Sequence, residues 1–440
     1  MIASLFIANR GEIAVRIIRA CREMGIRSVI GYSEADKESL GVRMADEAVC
    51  IGASPSRLSY LNISNLVSAA LLTGCDAVHP GVGFLAENSP FAKAVEDAGL
   101  IFIGPAAETI SLLGDKVQAK RSAAEYKVPV IPGSEGSVEN PEKSLQEANE
   151  IGFPVIVKAA AGGGGKGMRI VREEKNFLDI LKVASTEAEA AFSDGTVYLE
   201  KYLENPRHVE IQILSDGAGN VIHLGERDCS AQFNHQKLVE ESPSPGVNPA
   251  MRKSMGDAAV RLFKGLGYIG AGTIEFLVSG DEYYFMEVNA RVQVEHPVTE
   301  MVTGVDIIRE QILVCTGETL KLNQDEISLK GCAVECRINA RKPGKVSSYL
   351  PPGGFMTRMD SHLYTGYTVP PYYDALIGKL IVWAAGRDLA LKRMDRALTE
   401  LDLQGVETNI EEQQKIIRSK IFRSGNFGTD MLSHVLKEGT

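Results

Sequence analysis

Two glutamates spaced to face each other across a hairpin are the residues from which the chemistry of this chain is most directly read. Thr273-Ile274-Glu275-Phe276-Leu277-Val278 and Tyr283-Tyr284-Phe285-Met286-Glu287-Val288-Asn289 flank Ser279-Gly280-Asp281-Glu282, a turn composition. A hairpin symmetric about Asp281 sets Glu275 opposite Glu287, with both side chains on one face of the sheet. Facing carboxylates repel unless a cation lies between them, so the spacing predicts a divalent metal site. Oxygen donors with no thiol or imidazole nearby in sequence favour Mg2+ or Mn2+. Beyond Glu287, the residues Asn289, Arg291, Gln293 and Glu295 keep its parity and, in an extended chain, form one polar stripe opposite Val288, Val292 and Val294. A solvated edge strand is the competing reading. Strict alternation of Glu, Asn, Arg, Gln and Glu, followed at once by His296-Pro297, favours a site.

A second chemical signal is the run Ala161-Gly162-Gly163-Gly164-Gly165-Lys166-Gly167-Met168, directly after an apolar strand that ends at Lys158. Consecutive glycines let backbone N–H groups close on an anion without Cβ obstruction. It is not a Walker loop. That motif needs Ser or Thr after its Lys and a Gly five residues before its second Gly, and here those positions hold Gly167 and Ala160. A glycine run alone fits a surface loop equally well. Lys158 favours the phosphate reading, because its ammonium reaches an anion that the loop covers.

These groups need a frame, and the pattern of the chain supplies one. Leu5–Ala8 reads as a strand, and Ile13, Ile17, Cys21 and Met24 as the apolar stripe of a helix that stops at Gly25. Ser28–Gly31, Ala77–His79 and Leu100–Ile103 read as further strands. The alternation predicts an α/β fold with a parallel, doubly wound N-terminal sheet. A second region, 115–317, carries the glycine loop and the acidic hairpin. A third, 330–440, has strands at Cys332–Ile338 and Leu376–Ala384 and a helix over Leu389–Leu401. The whole is an α/β, or more broadly α+β, multidomain chain.

At 440 residues, two or three domains are expected. The net charge of −10, from 57 acidic and 47 basic side chains, excludes a general nucleic-acid binder. Seven scattered cysteines without a CxxC pair argue against a zinc site or a disulfide framework, and for thiols in a reducing compartment. No stretch resembles a signal peptide or membrane span, so a cytoplasmic location is expected.

Taken together, the motifs resemble the biotin carboxylases. The resemblance rests on Ile7-Ala8-Asn9-Arg10-Gly11-Glu12-Ile13-Ala14, His79-Pro80-Gly81, Gly114-Asp115-Lys116, the glycine loop, Glu200-Lys201-Tyr202, Pro206-Arg207-His208-Val209-Glu210 and His235-Gln236-Lys237. It rests further on the Glu287–Pro297 string and on Glu335-Cys336-Arg337-Ile338-Asn339-Ala340. It implies a Rossmann-like N-terminal domain (1–114), a central ATP-grasp domain (115–317, with a glycine-loop lid at about 131–203) and a C-terminal biotin carboxylase domain (330–440). By matched position, it implies that Lys116, Lys158, His208 and His235 contact ATP phosphate or ribose, and that Glu200, Lys201 and Leu203 frame the adenine. Gly163, Gly164, Gly165, Gln232 and Leu277 join the ATP set. Glu275, Glu287 and Asn289 would hold Mg2+ or Mn2+. Lys237, Arg291, Gln293, Val294 and Glu295 would hold bicarbonate, with Glu295 as base, and Arg337 would meet the ureido oxygen of biotin. The chain departs from the family pattern at Val82, at Phe233-Asn234 and in the short Arg341-Lys342-Pro343-Gly344 loop.

The implied activity is ATP- and bicarbonate-dependent carboxylation of biotin presented by a biotin carboxyl carrier protein, with separate carboxyltransferase subunits, most simply within an acetyl-CoA carboxylase serving fatty-acid synthesis. Two other readings compete: another ATP-grasp ligase, or a non-catalytic scaffold of a carboxylase complex. Arg16, Arg19 and Glu23 share one helical face, which matches a homodimer interface in the family and equally fits a solvated charged face. No Met-Lys-Met biotinylation motif occurs in the chain. Biotin is therefore expected as a substrate and not as an attached group. Purified protein should give no band at its own mass on a streptavidin blot, and a clear band there would refute the separate-carrier reading.

Overall fold

The strand–helix alternation at the N-terminus resolves into a five-stranded parallel sheet. Its strands are β1 (Ser4–Ile7), β2 (Arg27–Ser33), β3 (Glu47–Gly52), β4 (Ala77–His79) and β5 (Ile101–Phe102), in the order β3-β2-β1-β4-β5. The strand order reverses between β1 and β4, the usual place for a functional crevice in a doubly wound sheet. There Asn9 Nδ2 donates to the carbonyls of Pro80 (2.6 Å) and Val82 (2.9 Å). Gly81, at φ +67°, leaves room for that clamp: a Cβ would stand 2.7 Å from Asn9 Nδ2. The Gly11–Met24 helix ends, as its sequence predicts, at left-handed Gly25. Strand β3, absent from the sequence reading although Ala48-Val49-Cys50-Ile51 is apolar, is an edge strand in which only Ile51 is well buried.

The computed structural model describes residues 2–134, 140–159, 168–192, 195–234 and 236–436. The chain divides into two compact units, one formed by Met1–Val128 with Arg207–Thr440 and the other by Pro129–Pro206. In the smaller unit, β6 (Val155–Ala159), β7 (Met168–Val171) and β8 (Val197–Lys201) form an antiparallel sheet in the order β7-β6-β8. Val155, Val157 and Leu199 pack under Phe177 and Leu181 of the Phe177–Phe192 helix. Asn140 caps the Pro141–Ile151 helix by accepting from Glu142 N and Lys143 N.

The larger unit continues with β9 (Arg207–Ser215), β10 (Val221–Phe233), β11 (Gln236–Ser242), β12 (Gly270–Ser279) and β13 (Glu282–Asn289). After these come β14 (Cys332–Asn339), β15 (Gly344–Lys345), β16 (Ser348–Leu350), β17 (Thr357–Ser361), β18 (Thr368–Val369), β19 (Leu376–Ala384) and β20 (Asp402–Gln404). Eight of them make one sheet, in the order β13-β12-β9-β10-β11-β14-β19-β17. Strands from the central and C-terminal thirds of the sequence are thus hydrogen-bonded neighbours, with β11 and β14 as the seam. The helix expected over Leu389–Leu401 spans Arg387–Glu400.

The acidic hairpin forms with Glu275 opposite Glu287, but by a route the sequence does not show. The turn is the two residues Gly280-Asp281, with Gly280 at φ +60° and Ser279 paired to Glu282. That register alone would set Glu275 against Met286. A bulge between Glu275 and Phe276 absorbs one residue and restores the carboxylate pair. The polar stripe expected to run on to Glu295 is not a strand. Strand β13 ends at Asn289, residues 290–295 leave the sheet, and Glu295 becomes the N-cap of the His296–Thr303 helix. The β12–β13 pairing ends at Thr273–Asn289 although β12 runs on to Gly270, because Ala290 N and Arg291 Nε are drawn to Glu87 at 3.0 and 2.8 Å. Arg16 also differs from the polar-face reading. It is buried, donating to Glu300 (2.9 Å) and Asp306 (2.5 Å), whereas Arg19 and Glu23 are exposed.

All seven cysteines are free thiols; Cys50 alone is exposed. Among the described residues, no helix is long and apolar enough to cross a membrane. The centre of the large sheet holds Arg227, fully buried. It donates to Glu210 (2.5 Å), Gln212 (2.7 Å), Thr299 (3.0 Å) and Thr273 (3.3 Å). Arg227→Met should lower the unfolding free energy by about 3–5 kcal/mol, because it strips a buried carboxylate of its partner. Urea denaturation of the full chain reads this directly, and an unchanged midpoint would contradict it.

Candidate active site

On β9 the period of two places His208, Glu210 and Gln212 on one face, and the sheet register sets Glu210 opposite Glu275 of β12. Lys237, near the start of β11, reaches into this face. Its ammonium donates to Glu210 (2.8 Å), Glu275 (3.0 Å) and Glu295 (2.7 Å). Burial alone would lower the pKa of this lysine; the surrounding Cys229, Glu210, Glu295 and Glu275 outweigh it and hold the ammonium well above its ordinary range. Burial likewise opposes ionisation of Glu275 and Glu295. For Glu275, Lys237 and the 2.6 Å contact with His208 Nε2 prevail, and its carboxyl lies below the ordinary carboxylate range. For Glu295, Lys237, Arg337 and Arg227 prevail in the same direction. Both groups are carboxylates at neutral pH.

Arg337 of β14 closes the other side. Its Nη2 donates to Glu295 Oε2 at 3.0 Å, and its Nε to Glu240 Oε1 at 2.5 Å. Glu295 therefore lies between an ammonium and a planar guanidinium. Glu240 faces Glu335 across the β11–β14 seam, and both are fully buried. Burial pushes Glu240 up to about 7 against the pull of Arg337, and pushes Glu335 well above the ordinary range against Lys379. Two facing buried carboxyls cannot both ionise cheaply, so this pair retains a proton. Arg291 is held by Glu87 (2.8 Å), Asn289 (2.9 Å) and Gln293 (3.0 Å), and Gln293 in turn donates to Glu275 (2.9 Å). The stripe residues thus converge on Glu275 by folding back as a loop.

The donor set also has an open place for a cation. Ligand atoms of His208, Glu210 and Glu275, and of Glu210, Cys229 and Glu295, lie within 4.8 Å of one another, but Lys237 already stands among those carboxylates. Glu287 differs: it has no hydrogen-bond partner among the described residues, and burial together with the facing Glu275 raises its pKa. Glu275 and Glu287 face each other in register and offer oxygen donors that fit a hard divalent ion; Asn289 turns its Nδ2 to Glu275 (2.9 Å) and its Oδ1 to Arg291 (2.9 Å), so its oxygen joins them only once that amide turns over. Beside them is a cleft of about 210 Å³ lined by Lys116, Glu87, Glu287 and Asn289. Leu277 pairs in register with His208, and Gln232 with Lys237.

In the Pro129–Pro206 unit, Lys158 of β6 forms an ion pair with Glu200 of β8, Lys201 Nζ donates to the Gly152 carbonyl (2.8 Å), and Leu203 is half-buried. Gly163, Gly164, Gly165 and His235 lie outside the described residues.

Comparison with known proteins now bears on this geometry. Residues 1–110 match the model for the biotin carboxylase N-terminal domain, and residues 335–434 that for the biotin carboxylase C-terminal domain. Residues 115–323 match the carbamoyl-phosphate synthase L chain ATP-binding domain. The chain is 54% identical to biotin carboxylase 1 of Bacillus subtilis (strain 168), over 98% of each chain, and 52% identical to the biotin carboxylase of Nostoc sp., over 98% of this chain and 99% of that one. This chain belongs to the biotin carboxylase family. Among solved structures, it superimposes with a TM-score of 0.94 on the biotin carboxylase subunit of a pyruvate carboxylase, at 46% identity and 99% coverage of both chains. The biotin carboxylase domain dimer of Hydrogenobacter thermophilus 2-oxoglutarate carboxylase, in complex with MgADP, ADP and bicarbonate, superimposes at 0.86 and 46% identity, covering 99% of this chain and 98% of that one. The expected activity accordingly holds: an ATP-grasp ligase that uses ATP and Mg2+ to carboxylate biotin.

For a biotin carboxylase, several groups in this constellation go beyond the sequence reading. Glu210 was legible in principle, since His208, Glu210 and Gln212 alternate with Val209, Ile211 and Ile213 on one strand. Glu87, Glu240 and Arg227 carried no such signal, because their partners are distant in the chain. Titration of Glu240 gives a stability test. Its folded pKa of about 7 exceeds the ordinary 4.5, so its contribution is full below 4.5 and is lost as pH rises through about 7. The stability of wild-type protein should therefore decline across that window, and Glu240→Gln should make the decline shallower in urea titrations at successive pH values. An equally steep decline in the variant would contradict the assignment.

Proposed function

We propose the following division of labour for the carboxylation. Lys237, Arg291, Gln293 and the Val294 backbone hold bicarbonate, and Glu295 takes its proton. The observation that carries this reading is Glu295 held between Lys237 (2.7 Å) and Arg337 (3.0 Å), already ionised and able to accept a proton. A carboxylate held so low is a weak base. An arriving anion offsets the same two cations, which raises the proton affinity of Glu295 when bicarbonate is bound. Lys237 and Arg291 fix the deprotonated oxygen for in-line attack on the γ-phosphoryl group of ATP. Glu275, Glu287 and Asn289 hold the Mg2+ or Mn2+, which when bound neutralises charge on that group. Carboxyphosphate then yields CO2 and phosphate, phosphate removes the N1′ proton of biotin, and Arg337 stabilises the enolate-like ureido oxygen.

For the nucleotide, Lys116, Lys158, His208 and His235 are assigned to phosphate or ribose, and Glu200, Lys201 and Leu203 to adenine. Gly163, Gly164, Gly165, Gln232 and Leu277 complete the set. The domain division that accompanies this reading is 1–114, 115–317 with its lid at about 131–203, and 330–440. The biotin arrives on a carrier protein, the carboxyl group leaves to carboxyltransferase subunits, and acetyl-CoA carboxylation for fatty-acid synthesis is the process served. A homodimer and a cytoplasmic location complete the reading. The named 2-oxoglutarate carboxylase dimer supports the homodimer, and the exposed Arg19 and Glu23 fit such an interface.

ATP hydrolysis should require bicarbonate and rise when free biotin or a biotinylated carrier is added. Glu295→Ala should lose bicarbonate-dependent hydrolysis by about a hundredfold or more. Arg337→Ala should retain part of that hydrolysis, because Lys237 still holds Glu295, yet transfer little carboxyl group, because the ureido oxygen of biotin loses its cation. Hydrolysis indifferent to bicarbonate would point to another ligase, and ATP binding without any hydrolysis to a scaffold.

A further inference from the structure

Lys379 is the only lysine among the largest fully buried side chains of the described residues, and the roles above leave it unused. It lies on β19 directly across from Arg337 on β14, so both side chains share one face of the sheet. Arg337 takes the carboxylate of Glu295. Lys379 takes the carbonyl one residue earlier, donating from Nζ to Val294 O at 2.7 Å. Among the described residues, no backbone N–H reaches that carbonyl. On its other side Lys379 forms an ion pair with Glu12 at 3.1 Å; Glu12, in the first turn of the Gly11–Met24 helix, is itself buried. Asp360 of β17 stands opposite Lys379 in the next strand, paired with Arg358.

The placement matters because residues 290–295 have left the sheet. A loop without ladder hydrogen bonds leans on side-chain anchors, here beside one turn in which His296 N–H donates to the Gln293 carbonyl at 3.4 Å. Glu87 anchors the start of this loop through Ala290 and Arg291, and Gln293 is tied to Glu275. The last peptide before Glu295 has Lys379. Burying an ammonium is costly, and an apolar side chain of similar length would fill the same space with no such penalty. A buried ion pair is better explained by the direction it imposes than by the stability it contributes.

We propose that Lys379, anchored by Glu12, is a positioning residue for the bicarbonate step. It locks the Val294–Glu295 peptide so that the Glu295 carboxylate meets Lys237 and Arg337. The proposal rests on the reading of Glu295 as the base. Lys379→Met keeps the length and removes the charge, and the full-length variant is assayed for bicarbonate-dependent ATP hydrolysis at saturating Mg-ATP. The expected result is a loss of about tenfold or more in kcat/KM for bicarbonate, on the scale that small misplacements of reacting groups produce. Mg-ATP affinity, measured calorimetrically without bicarbonate, should stay within about twofold, a split that general loosening of the fold would not give. Should Lys379→Met fail to fold, Glu12→Gln releases the anchor and should raise the bicarbonate KM by about threefold or more, again with Mg-ATP affinity retained. Unchanged bicarbonate kinetics in whichever variant folds overturns the proposal, as does an equal loss of Mg-ATP affinity. Glu295→Gln, assayed in parallel, separates the two ideas. If it is inactive while the Lys379→Met variant behaves as wild type, the positioning role alone falls. If it retains bicarbonate-dependent turnover, the base reading falls and the positioning role with it.

Discussion

The site depends on one buried ammonium. Lys237 stands among Glu210, Glu275 and Glu295, all of them buried, and without it three carboxylates would share a low-dielectric space with too little opposing charge. Each carboxylate then has a further partner that keeps the cluster from collapsing symmetrically: Arg227 for Glu210, His208 for Glu275, Arg337 for Glu295. The effect is to fix Glu275 and Glu295 in their ionised form and to hold all three side chains at set distances.

Such a cluster needs strands brought from several parts of the chain, and one sheet provides them. His208 and Glu210 are on β9, Lys237 on β11, Glu275 on β12 and Arg337 on β14, all within the eight-stranded sheet. Because β11 and β14 are neighbours, Arg337, assigned to biotin, and Lys237, assigned to bicarbonate, are on strands joined by backbone hydrogen bonds. The loop 290–295 is the exception. It carries Arg291, Gln293 and Glu295 outside the ladder, so its geometry rests on Glu87, Glu275 and Lys379.

Electrostatic asymmetry divides the acids of the site by role. Glu275 and Glu295 are held low by cations; Glu240 and Glu335, facing each other behind Arg337, are raised by burial and share too little positive charge to ionise together. Glu287, with no hydrogen-bond partner among the described residues, is raised by burial and by the facing Glu275. Three carboxyl environments thus follow from which cation each side chain reaches.

Much of this was legible in the chain by itself. Local periodicity determined the β1 strand, the helix that stops at Gly25 and the acidic hairpin, because each depends on neighbours in sequence and on turn chemistry at Gly25 or Gly280. Residue type and spacing, read as a family resemblance, marked the Glu287–Pro297 string and Arg337. Tertiary structure decided what spacing cannot encode. The bulge at Glu275 changed how the carboxylates came to face each other, since bulges arise from the pull of the adjoining strands. Parity beyond Asn289 predicted a strand, yet the contacts of Ala290 and Arg291 with Glu87, distant in sequence, draw the chain off β12 into a loop. Glu87, Glu240, Arg227 and Lys379 joined the site only through contacts between residues distant in sequence, and such contacts leave no local pattern because the packing of the whole sheet sets them.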